Sequence, residues 1–345
     1  MHRELAHFAL GGVGKALPRR RLGNEELAQI LGTDAASIKK RTGIEERRIS
    51  SPSEVTSSLG ASAAKQALER AGVDPLKIDL VLLSTYTPDH LLCPTGPALA
   101  HAIGAHRAGS FDLNGACSGG VAALFTASSL LATGVFENIL VVASDVTSKY
   151  LRPDDPKGRL VFGDGASALL LRRYLAEAAT PWKVLGATLG ADGAGAPLFH
   201  VPGGGSAFPP QLNGTRHKAT PSVEMDGRAI FRFGVEKGVE VIEELCTRAG
   251  IAAERVRWMI PHQANLRMLS SMIDRCPIPQ EKWVINIERY GNTASSSVPL
   301  ALAELIESGQ VASGDIILLV AFGAGLTWSG VALEAGDGIF SAAGR

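Results

Sequence analysis

The sequence predicts an α/β protein in which helices cover both faces of a mixed β-sheet. Short, almost continuously apolar runs alternate with helical patterns, as expected for strands buried on both faces. Similar strand–turn–helix patterns also recur in the two halves of the 345-residue chain. At roughly 100–200 residues per domain, that length suits two halves of similar size.

Strands and helices of the first half can be assigned in order. The stretch SSLGASAAKQALERAG (residues 57–72) predicts a helix that ends just before Gly72. Strands are predicted for KIDLVLLSTYT (77–87), GSFDLNG (109–115), NILVVAS (138–144) and ASALLL (166–171).

Three features of the first half return in the same order in the second half. RAGVDPLKIDLVLLS resembles RAGIAAERVRWMIPH, and SFDLNGAC has a counterpart in VINIERYGN. ENILVVASD with FGDGASALLLRR resembles GDIILLVAFGAGLTWSGVALEA. We therefore predict a duplicated unit with halves at 1–180 and 181–345, joined near Pro181. Packing of these halves about a pseudo-twofold axis would bring Cys117, His262 and Asn292 together.

Composition narrows the possible partners. Thirty-four Lys and Arg residues balance 34 Asp and Glu residues, so no global field attracts nucleic acid or an anionic membrane. No apolar run approaches the ~18 residues of a membrane span, and the N-terminus lacks the apolar core of a signal peptide. The four cysteines are far apart and form no CxxC pair, which argues against a zinc site or a disulfide framework. We expect a cytoplasmic protein with neither nucleic-acid nor membrane partners and without a metal.

The stretch LFHVPGGGSAFPPQLNGTRHKATPS (residues 198–222) is rich in Gly and Pro and has no periodicity. It predicts a surface excursion between a strand and a helix that could cover a substrate entrance.

The stretch DLNGACSGG places Cys117 where a strand turns into an apolar helix. A thiol in the first helical turn would face unpaired N–H groups and the positive end of the helix dipole, which favours the thiolate. The neighbouring glycines allow a sharp turn and close approach of a ligand. A small residue filling a tight corner is the alternative interpretation.

Three other motifs carry polar groups or exposed backbone. His262 follows an apolar run in MIPHQANLR, and Asn292 precedes a Ser/Ala-rich helix start in ERYGNTASSSVPL. Each residue alone could be a cap or a turn residue. AFGAGLTWSG predicts a glycine hairpin whose N–H groups could point into a cleft. Together, a thiol, two hydrogen-bond donors and backbone N–H groups suit acyl transfer with stabilisation of an enolate.

These motifs resemble the β-ketoacyl-acyl-carrier-protein synthase III family of the thiolase superfamily. The resemblance rests on DLNGACSGG, PHQAN, RYGNTASSSVP and FGAGLTW, together with RTGIEERRI and FGDGASALLL, and spans about residues 8 to 335. It implies a thiolase fold in which duplicated βαβαβαββ halves form five layers, αβαβα. It also implies a homodimeric acyltransferase with no permanently bound cofactor.

The resemblance assigns roles to the residues of these motifs. Cys117 would take an acyl group from a coenzyme A or acyl-carrier-protein thioester, and His262 and Asn292 would hold a malonyl-type thioester during decarboxylation. The backbone N–H groups of Cys117 and Gly323 would stabilise the tetrahedral oxyanion. Phe322 would help to exclude water. Arg232 and Arg267 match positions of a basic patch for acyl carrier protein.

The chain departs from the family pattern near the expected coenzyme A site. In the family, a tryptophan a few residues before RTGI stacks on the adenine, and this sequence has Ser37 there. Arg41 could still contact a phosphate. The loop LRPDDPKGRL is about one residue shorter than usual and offers Lys157 and Arg159. With these changes, a carrier-bound donor becomes plausible beside coenzyme A.

Cys93 marks a second departure. It aligns approximately with a phenylalanine that, in family members specific for short acyl groups, reaches across the dimer to close the acyl pocket. A cysteine there would leave a longer or wider tunnel. Both departures predict a specialised fatty-acid or polyketide pathway.

Three other functions stay open. One is condensation of two carrier-bound β-keto chains, for example to a pyrone. Another is acyl transfer to an alcohol or an amine, which the intact Cys-His-Asn set disfavours. A non-catalytic partner subunit is the third, and the retained Cys117 argues against it.

Overall fold

A mixed nine-stranded sheet forms the centre of the protein, which a computed structural model describes for residues 5–174, 180–209 and 221–337. The strands are β1 (Ala6–Ala16), β2 (Arg20–Gly23), β3 (Glu46–Ile49), β4 (Leu80–Ser84), β5 (Gly109–Leu113), β6 (Asn138–Asp145), β7 (Gly165–Arg172), β8 (Trp182–Ala191), β9 (Phe199–His200), β10 (Glu224–Met225), β11 (Val256–Pro261), β12 (Ile316–Gly323) and β13 (Thr327–Glu334). β2 pairs with β3, and β9 with β10, in two small separate sheets.

The helices lie between and outside the strands. They are α1 (Asn24–Leu31), α2 (Ala35–Thr42), α3 (Thr56–Ala71), α4 (Thr95–Ala102), α5 (Gly119–Ala132), α6 (Gly158–Val161), α7 (Gly227–Ala249), α8 (Leu266–Ile273), α9 (Ile287–Tyr290) and α10 (Ser297–Glu307). The prediction of a helix that ends before Gly72 is confirmed, because α3 ends there with Gly72 in the left-handed conformation.

The strand order repeats in the two halves. It is β5-β4-β6-β7-β1 in the first half, and β8-β13-β12-β11 continues the sheet in the second half. β4 and β6 are parallel, as are β11 and β12, and β6–β7 and β12–β13 are antiparallel pairs. The two halves join through three residue pairs between β1 and β8, one of which places Phe8 opposite Trp182.

Three buried clusters show the layers. One cluster packs α3 and α4 on the first half of the sheet, and another packs α7 and α8 on the second half. The third places α5 and α10 between the two halves. The predicted thiolase fold with five layers, αβαβα, is therefore confirmed.

One predicted strand is wrong in detail. VINIERYGN (residues 284–292), the expected counterpart of β5, forms no strand among the described residues. Isolated bridges join Trp283, just before this stretch, to Met259 and its last residue, Asn292, to Phe162, and α9 lies between them. The side chain of Gln263 explains the change. Its Nε2 donates to Val284 O at 3.0 Å, and its Oε1 accepts from Asn286 N at 3.0 Å. A side chain therefore takes the backbone hydrogen bonds that a strand partner would supply.

The fold brings several strand ends to the middle of the molecule. Cys117 follows β5, His262 follows β11, and the turn between β12 and β13 lies opposite Cys117. Within the described residues, none of the helices has the length and apolarity needed to cross a membrane.

Candidate active site

Cys117 lies in a 3-10 turn, residues 116–118, that leads from β5 into α5. Ala116 has a φ of 46°, a left-handed conformation that a non-glycine residue seldom adopts. This turn directs Cys117 into the interior, where the residue is 3% exposed. A Cβ on Gly323 would come within 2.8 Å of the Cys117 N and Cβ atoms, so only glycine permits this contact.

His262 is held at the end of β11 by backbone and side-chain bonds. Its N–H donates to Val320 O at 2.7 Å, and its Nδ1 lies 2.7 Å from Ser297 Oγ. The rings of His262 and Phe322 pack edge to face, with their centroids 5.6 Å apart. Burial lowers the pKa of His262 to about 3, so the imidazole is neutral. When Ser297 donates to Nδ1, the proton lies on Nε2, which can then donate to a ligand.

Asn292 connects the two halves of the molecule. Its backbone N–H donates to Val161 O at 2.9 Å, and its carbonyl accepts from Gly163 N at 3.0 Å. Its side-chain Oδ1 accepts from Ala294 N at 2.8 Å, which leaves the Nδ2 hydrogens for a ligand.

Cys117, His262 and Asn292 line a single cavity of about 260 Å³. Most of its wall is apolar, with Phe231, Phe233 and Met268 among the lining residues. The cations that line the cavity are Arg41, Lys157 and Arg267. A second cavity of about 390 Å³ also reaches Cys117, and Tyr86, Asn114, His200 and Thr327 are among its lining residues. The thiol therefore has space for ligands on two sides.

The protonation state of Cys117 differs from the expectation. Burial and the carboxylate of Asp145 raise the pKa of the Cys117 thiol well above its usual value. Desolvation of the sulfur therefore opposes the expected stabilisation of a thiolate by the helix dipole, and α5 begins only at Gly119. The resting pair is a thiol and a neutral imidazole.

The other residues singled out in the sequence fall into two groups. Phe322, Gly323, Arg41, Lys157 and Arg267 line the first cavity with the central three residues. Arg159, Arg232 and Cys93 do not line it.

Arg159, Arg232 and Cys93 lie at three different places outside the first cavity. Arg159 donates to Pro153 O at 2.8 Å, and Arg232 lies on the exposed side of α7. Cys93 is exposed in the loop after β4, with a φ of 86°. The longer or wider acyl tunnel expected from Cys93 stays a prediction. The predicted loop at 198–222 lies partly outside the described residues, which omit 210–220. Phe199, in the described part of this loop, lines both cavities.

Two residues of the site escaped sequence analysis. Ser297 orients His262, and its only signal was its place in the run of serines after Asn292. Asp145 is a fully buried carboxylate at the end of the apolar strand β6. A charged residue that ends a strand buried along its whole length was the signal that could have identified it.

Two family models match parts of both halves of the chain, and curated relatives match nearly all of it. The model of the 3-oxoacyl-[acyl-carrier-protein] synthase III C-terminal part matches residues 246–335, and that of 3-oxoacyl-[acyl-carrier-protein] synthase III matches residues 111–196. A β-ketoacyl-[acyl-carrier-protein] synthase III of Microcystis aeruginosa is 40% identical over 96% of this chain and 98% of that relative. The enzyme of the same name from Symbiobacterium thermophilum is 38% identical over 94% of this chain and 97% of that relative.

Solved structures give the same result. The 3-oxoacyl-[acyl-carrier-protein] synthase III of Aquifex aeolicus matches with a TM-score of 0.86 and 34% identity. The match covers 95% of this chain and 100% of the Aquifex chain. The priming β-ketosynthase of the R1128 polyketide biosynthetic pathway matches with a TM-score of 0.84 and 34% identity, covering 96% and 97%.

Proposed function

Because the chain belongs to the β-ketoacyl-acyl-carrier-protein synthase III family, we propose that it joins an acyl group held on Cys117 to a malonyl-type thioester by decarboxylative Claisen condensation. The observation that carries this proposal is the shared cavity of Cys117, His262 and Asn292. A nucleophile and two neutral hydrogen-bond donors then face the same ligand.

In the first step, the sulfur of Cys117 attacks the carbonyl carbon of an acyl thioester. As the new sulfur–carbon bond forms and the bond from the acyl carbon to the donor's sulfur breaks, the proton of the Cys117 thiol passes to that departing sulfur, which leaves as a thiol. We assign the oxyanion site of this step to the backbone N–H groups of Cys117 and Gly323, whose backbones lie in contact. The product is an acyl-enzyme thioester.

In the second step, a malonyl-type thioester binds with its carbonyl oxygen facing His262 Nε2 and Asn292 Nδ2. Loss of carbon dioxide leaves an electron pair that these two donors stabilise as an enolate. The enolate carbon bonds to the acyl carbon, the bond from that carbon to the Cys117 sulfur breaks, and a β-ketoacyl thioester forms. The departing thiolate takes up a proton from solvent, which restores the thiol. Neutral donors suit this step because they need no change of protonation before it begins.

The substrates proposed here are coenzyme A or phosphopantetheine thioesters, with no permanently bound cofactor. Arg41, Lys157 and Arg267 line the same cavity as Cys117, where they can bind the phosphate of a pantetheine arm or an acidic carrier protein. Arg159 and the exposed Arg232 lie outside that cavity and can extend the basic surface toward the carrier.

We assign the acyl donor to a carrier protein and the enzyme to a specialised pathway. Ser37 lies one helical turn before Arg41 on α2 and offers no aromatic platform for adenine. Base stacking of that kind contributes about 1–3 kcal/mol. A donor delivered by protein–protein contact does not need it.

The proposed assembly is a homodimer formed through the edge strand β5. This strand ends the sheet and pairs only with β4 among the described residues. Phe111 on β5 is 43% exposed, and the adjacent loop exposes Leu91 and Leu92 by 72% and 90%. An open strand edge with apolar neighbours is a template for pairing with a second copy.

Panels of acyl-coenzyme A and acyl-carrier-protein donors of increasing chain length test the function. Intact-mass analysis should show one acyl adduct on Cys117 with carrier-bound donors, and addition of malonyl-carrier protein should release a β-ketoacyl thioester. A pyrone, an ester or an amide as the main product would replace this proposal with one of the alternative reactions. Absence of any adduct would overturn it.

A further inference from the structure

Asp145 is a buried carboxylate whose two oxygens are held by different halves of the molecule. In the first half, Oδ1 accepts from Thr85 Oγ1 at 3.1 Å, Tyr86 N at 3.0 Å and Thr87 Oγ1 at 3.3 Å. In the second half, Oδ2 accepts from Ser295 N at 3.0 Å and Ser295 Oγ at 2.5 Å. These five hydrogen bonds compensate for burying the carboxylate, and they tie the two halves together at one residue.

Ser295 belongs to the turn that carries Asn292. Within this turn, Ala294 has a φ of 55°, a strained conformation for a residue with a Cβ. Asn292 Oδ1 holds the turn from one side through Ala294 N, and Asp145 holds the next residue from the other side. The direction of Asn292 Nδ2 therefore depends on both contacts.

We propose that Asp145 is a positioning residue for decarboxylation of the malonyl-type thioester, because it anchors from the first half the turn that presents Asn292. This inference rests on the proposed function. Asp145 itself does not line the cavity that holds Asn292 and His262. It acts through Ser295 and the backbone of the turn.

The same carboxylate has a second, measurable effect on Cys117. Burial raises the pKa of Asp145 to about 6, so the group is ionised at pH 8, and its negative charge contributes to the raised pKa of the Cys117 thiol. The other titratable groups around the sulfur are Tyr86, His262 and the cavity cations Arg41, Lys157 and Arg267. Removal of one negative charge should therefore move the titration of Cys117 to lower pH.

The variant Asp145→Asn tests the proposal, with Asp164→Asn as its matched control. Asp164 is also buried and also bonded to serine and backbone donors, from Ser50 and Ser148, but among the described residues its carboxylate makes no hydrogen bond to the Asn292 turn. In Asp145→Asn, we expect malonyl-carrier decarboxylation to fall at least about tenfold. Acyl-adduct formation on Cys117 should stay within about threefold of the parent enzyme. Iodoacetamide alkylation of Cys117 should shift to lower pH, and Asp164→Asn should show neither effect.

Ser295→Ala separates anchoring from charge. It removes the 2.5 Å bond and keeps the carboxylate, so decarboxylation should fall while the alkylation profile stays unchanged. It also decides the proposal if Asp145→Asn does not fold. Full decarboxylation in Ser295→Ala and in any folded Asp145→Asn, or equal losses in both half-reactions, would overturn the proposal. A parent enzyme that forms no acyl adduct would instead overturn the proposed function.

Discussion

At the scale of single residues, the chemistry depends on backbone contacts as much as on side chains. The sequence motifs correctly predicted that Cys117, His262 and Asn292 share a cavity. They did not predict the protonation state of the thiol, because Asp145 lies 28 residues from Cys117 in sequence and reaches it only in the folded protein. Desolvation is a property of the fold, and no local pattern encodes it.

The variant Gly323→Ala should abolish acylation of Cys117. The added Cβ would lie 2.8 Å from the Cys117 N and Cβ atoms, so the nucleophile and the β12 turn must separate. We expect intact-mass analysis to show a loss of acyl adduct of at least about 100-fold. Gly193→Ala is the control, because a Cβ there would meet no atom within 4 Å. Normal acylation of Gly323→Ala would refute the proposed contact.

The imidazole of His262 should remain neutral across the working pH range. Burial places its pKa at about 3, so the neutral donor is present from pH 8 down to about pH 4. Selective isotope labelling of histidine, with the His262→Asn variant for assignment, should show ring resonances that do not titrate between pH 8 and pH 5. A titration midpoint near 6.5 would contradict the burial of this group.

At the scale of elements, close helix contacts set the position of the Asn292 turn. A Cβ on Gly120 of α5 would collide with Ser295 O and come within 3.0 Å of Pro299 Cγ. The apolar helix after Cys117 was predicted from the sequence, but its packing against the Asn292 turn was not. The missing counterpart of β5 has a similar cause, since the side chain of Gln263 competes for backbone bonds only after the chain has folded.

The variant Gly120→Ala should displace the turn and destabilise the fold. We expect a loss of about 1–3 kcal/mol in the free energy of unfolding, as is typical of overpacking, measured by denaturant titration. Decarboxylation should fall more than acylation. Ser129→Ala, on the exposed side of the same helix, is the control and should change neither quantity. An unchanged free energy of unfolding in Gly120→Ala would show that α5 can shift away from the turn without destabilising the fold.

At the scale of the whole molecule, duplication explains how one site gathers residues from distant parts of the chain. The repeated strand order supports the repeat identified in the sequence, and the two halves meet at the short β1–β8 contact. The boundary between the two halves at residues 180 and 181 stays a prediction, as does the homodimer. Association could not be derived from periodicity, because an open strand edge becomes visible only when the sheet order is known.

The variant Phe111→Asp should convert the proposed dimer to a monomer. A carboxylate on the exposed side of β5 would be desolvated against its symmetry mate, which costs several kcal/mol. Light scattering after size-exclusion chromatography should give twice the 36.1 kDa chain mass for the parent protein and a single chain mass for the variant. Equal masses for both proteins would exclude β5 as the interface.

The most direct test of the account separates the two half-reactions in one variant, Asn292→Ala. Acylation of Cys117 does not need the Asn292 amide, whereas stabilisation of the enolate does. We expect intact-mass analysis to show a normal acyl adduct on Cys117, and product analysis to show at least about a 100-fold loss of β-ketoacyl thioester. Normal acylation followed by condensation at the parent rate would contradict the central claim that these residues form one condensing site.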